Sequence, residues 1–153
     1  MEVSYDMFTA AFLAKITEYN FIKLSDANRQ TMIDRFMKEA CADFSFVCLY
    51  DIGNGDDETR TFNFEKDGVD ITPNDLHEIV SIVSDGLVYY WLRQYMYAAE
   101  NLQNNLNTQD FTSYSPSELL YRMTNAYHQC EKDFVNRIRE YSFRHGDLTD
   151  LHI

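Results

Sequence analysis

The sequence predicts a mainly α-helical domain that resembles a four-helix bundle and has one long central helix. Two observations predict this class. Apolar residues recur at helical spacing in four separate stretches, and each stretch begins at a residue type that caps helices. The 153 residues are enough for one domain with a single hydrophobic core. Besides the helices, we expect an acidic loop or small β-hairpin at 46–71 and an extended C-terminal tail.

The central helix is predicted to run from Thr72 to about Asn104. Thr72 can accept hydrogen bonds from the first free N–H groups, and Pro73 suits the first helical position. A helix of this length would span roughly 45 Å, which is more than a small domain needs. We therefore expect a break near Gly86 or a protruding end. Its apolar positions follow helical spacing and include Leu76, Ile79, Val80, Val83, Leu87, Tyr90 and Trp91.

Two helices are predicted before it. The first covers 5–19, with Ser4 as its N-cap, and the second begins at Ser25 and ends between Phe46 and Tyr50. Each has a stripe of apolar residues on one face. The stripes are Tyr5, Phe8, Phe12 and Ile16 in the first helix, and Ile33, Phe36, Met37, Ala40 and Phe44 in the second.

The segment between the second helix and the central helix is irregular and acidic. Asn54-Gly55 and Asp67-Gly68 are turn signals, and residues 61–64 alternate polar and apolar side chains like a short strand. That strand either pairs with residues 46–50 as a hairpin or lies in an extended loop. The segment contains Asp56, Asp57 and Glu58, but it lacks the ligand spacing of an EF-hand, so we expect a solvated acidic loop and no metal.

The last helix has the clearest start signal in the chain. Ser115 caps it, Pro116 takes the first position, and Glu118 can reach back to the cap. We expect it to end near Ser142, which gives a helical domain at 1–142 and a docking tail at 143–153. The tail shows no helical period, yet it is too apolar to be a solvated end, so we expect it to dock either on its own domain or on a neighbouring subunit. The helix has an apolar seam, read as a core-facing stripe: Leu120, Met123, Tyr127, Cys130, Phe134, Arg137, Ile138 and Tyr141.

Composition points to contacts with other protein. The chain has eleven Tyr and eleven Phe, and the cluster Tyr89, Tyr90, Trp91, Tyr95 and Tyr97 covers all faces of about two helical turns. Because one core contact cannot hide all these rings, we expect Tyr89, Trp91, Tyr95 and Tyr97 to contribute to a subunit interface. The net charge of −12 does not favour binding to nucleic acid, since phosphate contacts need Lys or Arg.

We expect neither catalysis nor a cofactor. The histidines form no HExxH pair, the five glycines form no phosphate-binding loop, and His128 and Cys130 point apart on a helix. The three cysteines show no CxxC spacing, so they are read as reduced thiols of a cytosolic protein. No signal peptide and no membrane span are predicted, because no suitable apolar run exists.

Four segments of the chain resemble the small neck proteins of tailed bacteriophages, the head–tail connector or adaptor family. They are FLAKITEY at 12–19, LHEIVSIVSDG at 76–86, the block from Leu106 to Leu120, and the closing stretch from Arg139 to His152. The resemblance implies a mainly α fold and a virion protein that assembles in the host cytoplasm as a ring, with twelve copies suggested. The implied partners are other copies of the chain, the portal protein, and a further neck or tail protein.

The resemblance also implies that the C-terminal segment reaches onto the portal. DNA would pass through the ring without specific binding, and a negatively charged wall suits that passage. The alternative interpretation is an acidic phage regulatory or DNA-mimic protein that binds a host protein; an enzyme is a third. The partner-binding residues expected in the tail are Phe143, Arg144, His145, Leu148, Leu151 and Ile153.

Overall fold

The computed structural model describes residues 2–16, 29–97 and 116–145. These ranges contain four helices, which we label α1 (Tyr5–Ile16), α2 (Arg29–Ser45), α3 (Pro73–Tyr97) and α4 (Pro116–His145). They also contain four short strands: β1 (Glu2–Ser4), β2 (Thr61–Asn63), β3 (Glu65–Lys66) and β4 (Val69–Asp70). The predicted mainly α class is confirmed. Among the helices in these ranges, none combines the length and the apolar character that crossing a bilayer requires.

Helix α3 lies at the centre, and α1, α2 and α4 pack against it. Helix α2 runs antiparallel to α3, because Phe36 stacks on Tyr90 while Ala40, one turn later, lies beside Gly86. Helix α4 is also antiparallel to α3. Its Phe134 contacts Gly86, and the last residue of α4 reaches the first turns of α3.

The ends of three helices place the β3–β4 hairpin at one end of the domain. The first turns of α3 and the last turns of α2 and α4 meet there, since Tyr50 OH donates to Asp75 Oδ2 and Glu78 pairs with His145. Helix α1 instead contacts the first half of α2, where Gln30 Nε2 donates to Thr9 Oγ1 at 3.4 Å and Arg60 bridges Asp34 and Asp6. We call the region of the hairpin the sheet end and define it as residues 44–51, 64–72, the first two turns of α3, and 140–145.

The predicted break near Gly86 is wrong, because α3 is a single helix through that position. A Cβ at Gly86 would lie 2.7 Å from Phe134 Cζ and 2.8 Å from Ala40 Cβ. The glycine thus allows close approach of α2 and α4 to α3, at the usual cost of about 1 kcal/mol in helix propensity. The predicted continuation of α3 at 98–104 lies outside the described residues.

The strand partners differ from both predicted alternatives. β2 does not pair with residues 46–50 but with β1, in antiparallel register with Val3 opposite Phe62. β3 and β4 form a separate two-residue hairpin whose turn places Asp67 and Gly68 at positive φ. The predicted alternation is nevertheless present, since Phe62 and Phe64 are buried and Asn63 is exposed. Pairing with the N-terminus brings Phe62 against Tyr5 and Phe8.

Helix starts follow the predicted caps. Ser4 Oγ accepts a hydrogen bond from Asp6 N at 3.2 Å, and Thr72 Oγ1 accepts one from Asp75 N at 3.3 Å. Helix α4 begins at Pro116 as predicted but continues to His145, three residues beyond the predicted end. The predicted beginning of α2 at Ser25 and the tail residues 146–153 lie outside the described residues.

A charged group joins three helices and explains why Arg137 occupies the apolar seam of α4. Asp85 on α3 accepts from Lys15 Nζ on α1 and from Arg137 Nη1 on α4, each at 2.5 Å. Lys15 Nζ also donates to the Ser81 carbonyl oxygen at 2.8 Å. Burial lowers the pKa of Lys15, although Asp85 opposes that shift. The sequence pattern identifies the seam but not this ion-paired position within it.

Candidate interaction surface

The last turn of α4 is fixed to α3 by one carboxylate. Glu78 forms an ion pair with Arg144, and its Oε2 lies 3.1 Å from His145 Nε2. Glu78 is itself largely shielded from solvent, while Arg144 is more than half exposed. Two of the predicted partner-binding residues, Arg144 and His145, therefore have partners within the domain and set the position of the helix end.

Substituting alanine for Glu78 tests this attachment. We expect a loss of at most about 1 kcal/mol in the free energy of unfolding, because Arg144 is solvent-screened. Amide hydrogen exchange in the last turn of α4 should become faster, since that turn loses both side-chain contacts. Glu140→Ala, which removes an exposed carboxylate from the same helix end, is the control. Equal exchange in the two variants would contradict the assigned role of Glu78.

A buried tyrosine connects α4 to the segment that follows α2. Tyr141 OH accepts from Leu49 N at 3.2 Å, and its ring packs edge-on against Phe44 with the centroids 4.8 Å apart. Burial raises the pKa of Tyr141 well above its usual range. Tyr50, the residue after Leu49, donates a hydrogen bond from its OH to Asp75 Oδ2 at 2.5 Å. The backbone of residues 44–50 is therefore held against both α3 and α4.

Three large apolar side chains of the sheet end project into solvent. Phe46 is 92% exposed, Phe143 is 69% exposed and Val69 is 66% exposed. Phe46 and Phe143 each lie two residues beyond a member of the Phe44–Tyr141 contact. Met7, Tyr121 and Val135 are exposed outside the sheet end, but the two most exposed of the large apolar side chains that the structure describes, Phe46 and Phe143, lie within it. A group of exposed apolar side chains at one end of a domain is typical of protein-interaction surfaces. We call Phe46, Val69 and Phe143 the apolar triplet.

Exposed carboxylates lie in the segments of the sheet end that carry or contact Val69. Asp51, Glu65, Asp67 and Asp70 are all exposed in the loop and hairpin of the sheet end. Lys66 is an exposed cation in the hairpin, whereas Arg60 is directed inward and binds Asp34 and Asp6. Arg144, next to Phe143, is also exposed but is paired with Glu78, so the charge of this surface is predominantly negative.

Two of the three residues predicted in the acidic loop, Asp56 and Asp57, have structural roles. Asp56 Oδ1 accepts from Glu58 N at 2.8 Å and from Thr59 N at 3.4 Å, which closes the turn before β2. Asp57 forms an ion pair with Lys38 of α2 and accepts from Tyr5 OH at 3.3 Å. The Lys38 hydrogen bond lowers the pKa of Asp57. Glu58 is exposed. No group of three or more potential metal ligands occurs among the described residues.

The predicted aromatic interface cluster divides between core and surface. Trp91 is only 3% exposed and packs against Phe12 and Phe36, so its assignment to a subunit interface is wrong. Tyr89 is half-buried and stacks on Tyr127 of α4, with 5.5 Å between ring centroids. Trp91 and Tyr89 are accommodated by contacts between helices, which the count of aromatic residues could not reveal. The side chains of Tyr95 and Tyr97 lie outside the described residues.

Comparisons with known proteins found no match among protein-family models, curated proteins or solved structures.

Only part of this surface was predicted from sequence. Phe143 belongs to it and was expected to bind a partner, whereas Leu148, Leu151 and Ile153 lie outside the described residues. Phe46 and Val69 were missed. A signal did exist for Phe46, because this large apolar residue falls outside the apolar stripe of α2. Val69 carries no comparable signal, since apolar residues are common in short strands.

Two tyrosines, Tyr5 and Tyr50, give a prediction for alkaline pH. Burial raises the pKa of Tyr5 to about 12, and the hydrogen bond to Asp75 raises the pKa of Tyr50 to about 12. The unfolded chain loses these protons near pH 10. Their contribution to stability is therefore complete below about pH 10 and is lost as the pH rises through about 12.

We expect the urea midpoint of unfolding to fall between pH 10 and pH 12, and Tyr50→Phe to reduce that fall. Tyr121→Phe, which changes an exposed tyrosine, should leave the pH dependence unchanged. An identical pH dependence in wild type and Tyr50→Phe would contradict the role of the Tyr50–Asp75 hydrogen bond.

Proposed function

We propose that this protein is a structural virion protein, a ring-forming head–tail connector of a tailed bacteriophage that binds the portal and lines the DNA passage. The observation that carries the proposal is the apolar triplet, whose side chains extend into solvent from a backbone anchored by Tyr141 and Glu78. Such a surface suits permanent contact with other protein, because an isolated domain gains nothing from exposing it. The resemblance of four sequence segments to neck proteins supports the same function.

The charge distribution is compatible with a DNA passage. A net charge of −12 and the exposed carboxylates of the sheet end repel phosphate, so DNA can pass without being retained. The proposed partners are other copies of the chain in a ring of twelve, the portal protein, and a further neck or tail protein. If the residues lining the channel of an assembled ring were mainly Lys and Arg, the proposed role of the negative charge would be wrong.

The acidic segment favours a second candidate function, an acidic phage regulatory or DNA-mimic protein that binds a host protein. Residues 51–78 contain nine carboxylates and two cations. However, Asp57, Asp75 and Glu78 bind Lys38, Tyr50 and Arg144 within the same fold. These contacts use carboxylates that a DNA mimic would present outward, so the connector remains the preferred function.

Electron microscopy of the full chain mixed with the portal protein of the same genome tests the proposal. We expect closed rings stacked on the portal, with native mass spectrometry giving the copy number. The chain alone is the control for self-assembly. A monomer in this control does not contradict the proposal, because the ring is expected to form when the chain meets the portal. Absence of any ring or complex with the portal would overturn the connector function. Binding instead to a DNA-binding host protein would support the alternative.

A further inference from the structure

We propose that the sheet end docks onto a different protein that offers an apolar cleft bordered by Lys and Arg, and that it does not bind a second copy of this chain. The proposal rests on the proposed function in one respect: the different protein is a neighbour of the connector in the virion neck. It goes beyond that function because it assigns the contact to a particular end of the domain and excludes self-association there.

The apolar part of the contact is built from side chains that already have a fixed base. Phe46 and Phe143 follow residues held by the Phe44–Tyr141 ring contact, and Val69 lies in the β3–β4 hairpin. Residue 51, close after Phe46, is joined to that hairpin because Asp51 N donates to the Glu65 carbonyl oxygen at 3.2 Å. Anchored groups lose little backbone freedom on binding, which favours affinity.

The charged border decides which kind of protein fits. Asp51, Glu65, Asp67 and Asp70 place exposed carboxylates in the hairpin that carries Val69 and in the segment hydrogen-bonded to it. A partner with Lys and Arg around its cleft would gain favourable electrostatic complementarity. A second copy meeting end to end would instead place carboxylates against carboxylates, and like charges in an interface disfavour association. Ring contacts between copies must therefore use other faces of the domain.

The experiment measures binding of the full-length chain to two purified probes, the portal protein and the next neck protein of the same genome. The test variant is Phe46→Ser/Phe143→Ser, and the matched control is Tyr121→Ser. Tyr121 is 68% exposed in the first turns of α4, about 30 Å along that helix from Tyr141. Since all three side chains are exposed, each variant should fold, and circular dichroism with urea unfolding checks that it does.

For at least one probe we expect the double variant to raise the dissociation constant by about tenfold or more, while Tyr121→Ser changes it less than about threefold. Binding should also weaken as salt is raised, because the charged border is screened. Native mass spectrometry should give the same ring copy number for wild type and double variant. These results together would support the proposal.

Three results would overturn it. If wild type binds a probe and the double variant binds equally well, the docking face is wrong while the connector function stands. If the double variant binds as wild type does but loses ring formation, the sheet end is a contact between copies. If wild type binds neither probe, both this proposal and the connector function are overturned. The wild-type measurement separates this outcome from the first one, in which wild type does bind.

Discussion

Replacing Trp91 with alanine is expected to lower the free energy of unfolding by about 3–5 kcal/mol, the largest effect among the substitutions considered for this protein. The indole is 3% exposed and lies between α1 and α2, with its ring centre 5.8 Å from Phe12 and 6.4 Å from Phe36. Its removal would leave a cavity where three helices meet, which costs both transfer and packing energy. Urea unfolding followed by circular dichroism measures the loss.

The control for Trp91 is Tyr121→Ala, which removes an exposed aromatic side chain and should change stability by no more than about 0.5 kcal/mol. This comparison separates a core residue from an interface residue. If Trp91→Ala left the unfolding curve of the isolated domain unchanged but prevented assembly, Trp91 would belong to an interface and its placement in the core would be wrong.

Replacing Gly86 with valine is expected to cost about 3 kcal/mol. Even the first added carbon would approach Phe134 Cζ to 2.7 Å and Ala40 Cβ to 2.8 Å. Phe134 could rotate, but Ala40 Cβ is fixed to the backbone of α2, so the helices must separate. Better helix propensity offsets at most about 1 kcal/mol of this cost. The measurement is the free energy of unfolding in urea.

Gly53→Ala is the matched control for Gly86, because the nearest atom to an added Cβ there is Asp51 Oδ1 at 3.7 Å, an ordinary contact distance. We expect a change within about 0.5 kcal/mol. A valine variant of Gly86 as stable as wild type would mean that α2 and α4 do not approach α3 as closely as described.

Local sequence signals predicted the helices well. Ser4 and Thr72 cap the helices they were expected to cap, and Pro116 begins α4. Caps depend on hydrogen bonds within three residues, so the local sequence contains all that they require. The apolar stripes were equally informative, since Phe8, Phe12, Phe36, Phe44, Phe134 and Tyr141 are all buried.

The errors all concern contacts between distant parts of the chain. The length of the central helix predicts a break near Gly86 or a protruding end, because the sequence does not show that Phe134 and Ala40 lie beside this glycine. β2 was correctly seen as strand-like, yet its partner lies nearly sixty residues earlier at β1. The sequence predicts Trp91 at an interface because helical spacing does not show which face of a helix contacts another helix. Helix α3 is surrounded by three other helices.

The residues of the candidate interaction surface likewise divide between one that the sequence predicted and two that only the structure identified. Phe143 was predicted as a partner-binding residue from the apolar character of the C-terminal stretch, whereas its association with Phe46 and Val69 depends on how α2, α4 and the hairpin end together.

The sequence by itself determined the helical class, the helix starts, the apolar faces and the excess of negative charge, because each depends on residue type and short-range spacing. Only the tertiary structure decided that Trp91 is enclosed by other helices, which strand pairs with β2, and which apolar groups remain exposed at one end. Those outcomes depend on long-range packing, where the same residue is buried or exposed according to what lies against it.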